Sequence, residues 1–328
     1  MEYFPYNERV ISKGTPFSDR PLPKKEKYRV HLLALGDVGS TLAIGLRLLG
    51  GDVISALGIC DLREGVPQRW EFELNQIAAP GEARFPPVEI VDMEHILDCD
   101  VFLFCASRFV PDTAVKSGDV RMAQYELNRP LAASYARMAR EKGYQGMFCV
   151  VSDPVDQLCR AALLESSRDE AGNLDGRGLS VNQVRGFGLG VMNARARYYA
   201  GKDPRFADYL VDGRAFGPHG EGLVIANSIR HYDETLSEEL TELTKHANLQ
   251  MRELGYKPYV APALSSGALS VLACLRGEPH YSSVFLDGVF FGIRNRLTDG
   301  VCCMEQLAIP DALAEKLRET IEKLKEVS

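Results

Sequence analysis

The sequence predicts an α/β protein, with a doubly wound parallel sheet in the first half of the chain and an α+β domain in the second. Two observations support this prediction. Between residues 28 and 151, short apolar runs of strand length alternate with stretches of helical spacing, a pattern typical of a parallel sheet with crossover helices. After residue 156, helical patterns are joined by a long run of strand-forming residues. The second half therefore indicates a further, more antiparallel lobe.

Composition is ordinary for a globular protein large enough for two lobes. The chain has 328 residues, of which 45% are hydrophobic and 25% charged, as in typical globular domains. Its net charge of −7 argues against a nucleic-acid or anionic-membrane surface. No apolar run predicts a membrane span or a secretory leader. Among the eight cysteines there is no Cys-x-x-Cys pair, so we expect buried thiols and a cytoplasmic location. The cysteines in apolar contexts are Cys60, Cys105, Cys149, Cys274, Cys302 and Cys303.

The predicted elements follow in chain order. Residues 1–27 are expected to form an arm, either loose or wrapped on a neighbouring subunit. Short apolar runs predict strands at 28–35, 53–60, 88–91, 101–105 and 146–151. Helical spacing predicts helices at 38–49 and at 120–142, the second interrupted at Pro130. In the second half we predict helices at 234–254, 264–275 and 310–327, a strand over 282–291, and a polar surface loop at 166–178. That loop lacks calcium-ligand spacing, and no metal site is predicted.

The first predicted strand runs into a glycine-bearing turn, Ala34-Leu35-Gly36-Asp37-Val38-Gly39. Gly36 would let the backbone approach a pyrophosphate, and Gly39 would let the following helix pack close to the strand. Asp61 ends the next strand and could accept both ribose hydroxyls, which favours NAD over NADP. Arg63 weakens that preference, and Asp37 is expected to point outward. The alternative is a generic strand-turn-helix with a surface aspartate.

A possible hydride-transfer site follows between residues 188 and 221. Arg195 lies in Gly-Val-Met-Asn-Ala-Arg, and His219 lies in Phe-Gly-Pro-His-Gly-Glu. A guanidinium can hold the carboxylate of a 2-keto acid by two hydrogen bonds. An imidazole titrates near neutral pH and can transfer the proton at the substrate oxygen. The pair therefore indicates oxidoreduction of a 2-hydroxy acid.

Together these motifs resemble those of the L-lactate/malate dehydrogenase family. Ser-Asp-Pro-Val-Asp (152–156) is similar to the family's Ser-Asn-Pro-Val-Asp segment, and Gly-Asp-Val-Arg-Met (118–122) is similar to its mobile loop. The interval from Arg195 to His219 is the most specific match. The resemblance implies that His219 is the acid/base, that Arg195 binds the substrate carboxylate, and that Arg121 polarises the carbonyl. It also implies a homodimer or homotetramer without nucleic-acid or membrane partners. The residues implied to contact NAD are Gly36, Asp37, Val38, Gly39, Asp61, Cys105, Ala106, Ser107, Asn128 and Val151.

The resemblance also implies a division of the chain into three parts. Residues 1–27 are the arm, 28–156 a dinucleotide-binding domain and 157–328 the substrate domain.

Two residues depart from the family pattern at the reaction site. Met192 stands where the family has the aspartate that orients the histidine, and Asp153 replaces the family's asparagine before Pro-Val-Asp. We hypothesise that the anionic partner of His219 has moved to Asp153, where pairing with imidazolium would neutralise it. The alternative is a decayed site in which Met192 only fills space.

The substrate side also departs from the family. The segment from Ala106 to Arg121 is longer than the family's usual loop, and Val115 stands where malate enzymes have a second arginine. Pro262 stands where lactate enzymes tend to have a threonine. These residues favour a lactate-like or bulkier branched or aromatic 2-keto acid, reduced to the L-2-hydroxy acid. A malate dehydrogenase and a catalytically impaired, regulatory or structural NAD-binding homologue are the alternatives.

Overall fold

The computed structural model describes residues 1–81, 83–108 and 120–326, the side chains of Val120 and Arg121 excepted. The strands are β1 (Glu2–Phe4), β2 (Tyr28–Leu33), β3 (Ile54–Cys60), β4 (Val88–Ile90), β5 (Val101–Phe104), β6 (Met147–Val150), β7 (Val184–Gly186), β8 (Arg214–Phe216), β9 (Val224–Ala226), β10 (His280–Leu286), β11 (Val289–Thr298), β12 (Val301–Met304) and β13 (Leu307–Ile309). The α-helices are α1 (Asp37–Leu49), α2 (Val66–Asn75), α3 (Val120–Glu141), α4 (Val155–Ser166), α5 (Leu189–Ala200), α6 (Tyr209–Asp212), α7 (Glu234–Glu253), α8 (Ser270–Leu275) and α9 (Asp311–Glu326). A 3₁₀ turn (Pro204–Phe206) and a π-helix (Pro262–Leu269) complete the elements.

One mixed sheet organises the molecule, in the order β12-β11-β10-β7-β6-β5-β2-β3-β4. Strands β2 to β7 pair in parallel. The antiparallel strands β10 to β12 extend the same sheet, because Ser283 on β10 pairs with Gly186 on β7. Because β2 lies between β3 and β5, the order in which strands are added reverses there. Ligands of open α/β sheets bind at the carboxyl ends of the strands at such a point.

Both faces of the parallel strands are covered by helices, which confirms the doubly wound α/β prediction. On one face, Phe102 and Phe104 of β5 pack with Ala132 and Ala136 of α3. On the other, Leu32 of β2 belongs to the core that contains residues of α1 and α8. Burial on both faces explains why these strands are continuously apolar. Within the described ranges, no helix is long and apolar enough to cross a membrane.

Two helices differ from the sequence predictions. Pro130 does not interrupt α3, which runs unbroken from Val120 to Glu141. The residues that follow the proline, Ala132 and Ala136, are fully buried against the sheet, and this packing offsets the local cost of the proline. The helix predicted at 264–275 is divided, since a π-helix occupies Pro262–Leu269 before α8 begins.

The N-terminal arm packs on its own chain, so the prediction of a loose arm is wrong. Its strand β1 pairs with β13, and Phe4 makes edge contacts with Phe216 and Phe291. The backbone of Val10 bonds to Cys302, and that of Leu22 bonds to Gly300. The charged and proline-rich composition of the arm concealed these few apolar anchors.

Candidate active site

Four strand ends bring most of the predicted site residues to one edge of the sheet. The glycine-bearing turn follows β2, and Asp61 follows β3. Cys105, Ala106 and Ser107 follow β5, while Val151 and Asp153 follow β6. Parallel pairing of these strands places all of these residues at the same carboxyl edge.

The glycine-bearing turn has the geometry that its sequence predicts. A Cβ on Gly39 would lie 2.0 Å from the Ala34 carbonyl oxygen, whereas a Cβ on Gly36 would meet nothing within 4 Å. Ala34 has a φ of 74°, a left-handed conformation that favours glycine. Gly39 is therefore required for close packing of α1, and Gly36 leaves room for a ligand at the helix N-terminus. This arrangement fits a dinucleotide.

A cavity of about 430 Å³ adjoins this turn. Gly36 and Asp37 line it, and the Asp37 carboxylate is paired with Lys257 at 2.9 Å. Sequence analysis did not single out the other polar and aromatic groups in its lining, because they come from three separate segments. They are Ser40, Thr41, Arg69, Trp70 and Tyr259.

Asp61 does not present a free carboxylate to this cavity. Its Oδ2 accepts from the Leu35 amide at 2.7 Å, and its oxygens also accept from Arg63 at 2.7 to 3.0 Å. Burial raises the pKa of Asp61, but the hydrogen bonds from Arg63 and Leu35 outweigh it and lower the pKa to about 2. The carboxylate is therefore ionised and already paired.

His219 and Asp153 meet at the carboxyl edge of the sheet. His219 Nδ1 lies 3.1 Å from Asp153 Oδ1. The His219 side chain is 15% exposed and that of Asp153 is 47% exposed. Gly188, which precedes α5, permits this position, because a Cβ there would lie 3.0 Å from the His219 Cβ. Of the described residues, none gives the other ring nitrogen, Nε2, a hydrogen-bond partner.

Buried polar contacts hold both members of this pair. The His219 amide donates to Asp156 Oδ2 at 3.3 Å, and Ser283 donates a short hydrogen bond to Asp156 Oδ1. Asn128 is fully buried and donates to the Asp153 carbonyl at 2.9 Å. Asn128 also accepts from the Arg108 amide at 2.8 Å, which ties α3 to the end of β5. Ser283 gave no sequence signal, since it is remote in the chain and has an ordinary strand setting.

Arg195 lies on α5, one turn after Met192. Its Nη1 is 3.7 Å from the Met192 sulfur. Within the described part of the chain, no carboxylate lies within salt-bridge distance of Arg195. Burial lowers the pKa of Arg195, and the charges of Tyr199 and Asp153 partly oppose that effect. Met192 is 3% exposed, so the position of the family's aspartate is an apolar contact here.

The π-helix packs against both α5 and α1. Ser266 accepts from the Val191 amide of α5 at 2.8 Å and donates to the Gly188 carbonyl at 2.6 Å. On the other side, a Cβ on Gly45 of α1 would lie 2.6 Å from that of Ala268. Pro262 is the first residue of this helix.

Two predicted residues are not placed by these contacts. Val115 lies outside the described residues, and Arg121 is described only as a backbone position in the first turn of α3.

The chain is similar to lactate and malate dehydrogenases over most of its length. No family model matches it. It is 26% identical over 324 residues to an L-lactate dehydrogenase of Halalkalibacterium halodurans, covering 91% of this chain and 96% of that protein. An L-lactate dehydrogenase of Bacillus pumilus is also 26% identical, over 330 residues, with coverage of 91% and 96%.

Solved structures agree on the fold. A minor L-lactate dehydrogenase from Enterococcus mundtii superposes with a TM-score of 0.73 at 22% identity, covering 92% of this chain and 98% of that one. The malate dehydrogenase from Picrophilus torridus gives 0.70 at 17% identity, with coverage of 91% and 95%. The shared fold, the relatives' near-complete coverage and the motif order support membership of the L-lactate/malate dehydrogenase family, at low sequence identity.

Proposed function

We propose that this protein is an NAD-dependent dehydrogenase that interconverts a 2-keto acid and an L-2-hydroxy acid. Its relatives support an oxidoreductase of the lactate/malate dehydrogenase type. The observation that supports the proposal best is the 3.1 Å contact between His219 Nδ1 and Asp153 Oδ1. This contact is what an acid/base histidine needs, although the carboxylate comes from a different position than in the resembled family.

The proton chemistry follows from the two ring nitrogens. A carboxylate at Nδ1 selects the tautomer with the proton on that nitrogen and orients the ring. In reduction, Nε2 of the protonated ring donates its proton to the substrate oxygen. In oxidation, neutral Nε2 accepts the hydroxyl proton. Asp153 thereby acts as the positioning residue and His219 as the acid/base.

Arg195 is the group that we assign to the substrate carboxylate. A partly buried guanidinium with no described carboxylate within salt-bridge distance is costly, because its charge is poorly solvated and lacks a direct ion-pair partner. An incoming carboxylate removes that cost by forming two parallel hydrogen bonds. Arg121, in the first turn of α3, would approach the carbonyl and stabilise the negative charge that develops on its oxygen.

The dinucleotide would be held along the carboxyl edge of the sheet. Gly36 and the N-terminus of α1 fit the pyrophosphate, and Ser107, Asn128 and Asp153 lie toward the reaction site. When bound, the nicotinamide supplies or accepts the hydride at the substrate carbon. On this assignment residues 28–156 bind mainly the cofactor and residues 157–328 mainly the substrate.

Apolar residues at three substrate-side positions of the resembled family favour a substrate without a second carboxylate. Met192 is buried and uncharged, and Val115 and Pro262 are also apolar. None of these three residues offers a cation to a distal carboxylate. We therefore favour pyruvate or a bulkier branched or aromatic 2-keto acid over oxaloacetate.

The proposal also covers the oligomeric state and the cellular location of the enzyme. Family members act on small keto or hydroxy acids and are typically oligomeric, so we propose a homodimer or homotetramer. All eight cysteines are free, which supports a reducing compartment such as the cytoplasm.

A substrate panel tests the proposed function. NADH oxidation is measured with pyruvate, phenylpyruvate, 2-ketoisocaproate and oxaloacetate. We expect turnover of at least one monocarboxylic 2-keto acid and little with oxaloacetate. Turnover of oxaloacetate alone would contradict the substrate assignment. Bound NADH with no turnover of any of the four acids would favour a non-enzymatic role.

A further inference from the structure

The cavity beside the glycine-bearing turn is called the cofactor cleft below, and the adenosine of a dinucleotide would lie at its Asp61 end. The charges around Asp61 are arranged unusually. A carboxylate offers about four hydrogen-bond acceptor sites, and four donors occupy those of Asp61. The Leu35 amide and Arg63 Nη2 bond to Oδ2, each at 2.7 Å, while the Arg63 amide and Nε bond to Oδ1 at 3.0 and 2.9 Å. The Asp61 side chain is only 5% exposed. A ribose diol could bond to Asp61 only by displacing Arg63.

The group that faces the cleft is therefore the guanidinium and not the carboxylate. The Arg63 side chain is 61% exposed and lines the 430 Å³ cavity beside the glycine turn. Its planar fork is held by two bonds to Asp61, and its remaining N–H groups stay available to a second anion. Pairing with Arg63 also neutralises the charge with which Asp61 would repel a phosphate.

A second arginine lines the same cavity. Arg69 stacks over the ring of Trp70, with its guanidinium carbon 4.9 Å from the ring centroid. Across residues 1–81, 83–108 and 120–326, no carboxylate lies within salt-bridge distance of Arg69. The acidic group nearest the turn, Asp37, is paired with Lys257 at 2.9 Å. The cavity thus combines two cationic groups with acids that are already paired.

We propose that Arg63 and Arg69 bind the 2′-phosphate of NADP(H), so that the enzyme accepts the phosphorylated dinucleotide at least as well as NAD(H). This inference rests on the proposed function, because it assumes that the cleft holds a nicotinamide dinucleotide. A phosphate monoester carries nearly two negative charges at neutral pH and is well matched to a guanidinium fork. The hydroxyl of Thr41, in the same lining, can donate a further hydrogen bond.

Trp70 makes binding directly measurable without turnover. It is the single tryptophan of the chain and lines the cavity, so its fluorescence reports occupancy of this end of the cleft. The wild-type protein is titrated with adenosine 5′-monophosphate, adenosine 2′,5′-bisphosphate, NADH and NADPH. We expect the bisphosphate to bind more tightly than the monophosphate, and NADPH to bind as tightly as NADH or more tightly.

The titration separates this inference from the proposed function. Binding of NADH with NADPH about 100-fold weaker, or with no preference for the bisphosphate, would overturn the inference and leave the proposed function standing. Failure of all four ligands to bind would overturn both.

A variant tests the assignment to Arg63. Arg63→Met should weaken NADPH binding by about tenfold or more, as expected for loss of a charge-assisted contact. It should leave NADH binding unchanged or tighter, because Asp61 is then free to accept the ribose hydroxyls. The matched control is Arg177→Met, an exposed arginine outside the cavity.

The ratio of the two dissociation constants is compared within each protein, so a partly unfolded sample does not change the outcome. An unchanged ratio in Arg63→Met would contradict the inference.

Discussion

At the residue scale, the proposed chemistry depends on an exchange of charge between two positions. Met192 on α5 replaces the aspartate of the resembled family, so a carboxylate is absent from that position. Asp153 at the end of β6 replaces the family's asparagine, so a carboxylate is present there instead. The 3.1 Å contact of Asp153 with His219 Nδ1 is compatible with an unchanged role for the imidazole. Without a partner, imidazole would lose both its fixed tautomer and its orientation.

One residue-scale prediction concerns Arg195. Arg195→Lys should raise KM for the keto acid by about 10- to 100-fold, because lysine cannot form the two parallel hydrogen bonds of the guanidinium. NADH binding, followed by Trp70 fluorescence, should not change. Arg197→Lys, an exposed position on the same helix, is the control. An unchanged KM in Arg195→Lys would contradict the assignment of this residue to the substrate carboxylate.

At the element scale, the π-helix Pro262–Leu269 packs against both α1 and α5. Ser266 bonds to α5 at two backbone positions, while Gly45 and Ala268 bring α1 into close contact with the same helix. The helices that carry the glycine turn and Arg195 are therefore packed on a common element.

Two glycines of α1 and its preceding turn should respond differently to alanine. Gly39→Ala should lower the free energy of unfolding by about 3 kcal/mol, because its Cβ would lie 2.0 Å from a backbone oxygen. Gly36→Ala should change stability by less than about 1 kcal/mol, since Gly36 has a φ of −72° and an open Cβ position.

Gly36→Ala should instead weaken NADH binding by about tenfold, because the methyl group would obstruct the approach of the pyrophosphate. Urea unfolding and Trp70 fluorescence measure the two effects. Equal stability of the two variants would contradict this division of roles.

Much of the fold was predictable from sequence because local signals and tertiary packing agree there. The alternation of apolar strands and amphipathic helices predicted the parallel sheet, and the glycine-bearing turn predicted a helix directly after the first strand of that sheet. The π-helix was not predictable, since a run of small and apolar residues fits an α-helix equally well. The sequence showed that Arg63 is close to Asp61 along the chain, but it did not predict their ion pair. Proximity in sequence does not say which way two side chains point.

At the scale of the whole molecule, the first and last segments of the described chain brace each other. Strand β1 pairs with β13, and Arg318 of α9 forms ion pairs with Glu2 and Glu315. Phe4 is 6% exposed and packs on Phe216, which ends the strand before the His219 turn. The arm therefore stabilises the part of the chain that we propose to bind the substrate.

Phe4 should account for most of this stabilisation. Phe4→Ala should cost about 3 kcal/mol, because it removes a buried ring and leaves a cavity against Phe216 and Phe291. Tyr3→Ala, the matched control at a 63% exposed position, should change stability by less than about 0.5 kcal/mol. Thermal or urea unfolding measures both. Equal effects would show that the arm contributes through its backbone pairing and not through Phe4.

The central claim is that Asp153 is the partner of His219, and turnover of Asp153→Asn tests it most directly. Asparagine is nearly the same size and is the residue that the resembled family has here, so folding should be preserved. The account predicts a fall in kcat on the order of 10² or more, as when a catalytic histidine loses its carboxylate, with partial recovery in Asp153→Asn/Met192→Asp. Activity kept or raised in Asp153→Asn alone would contradict the claim.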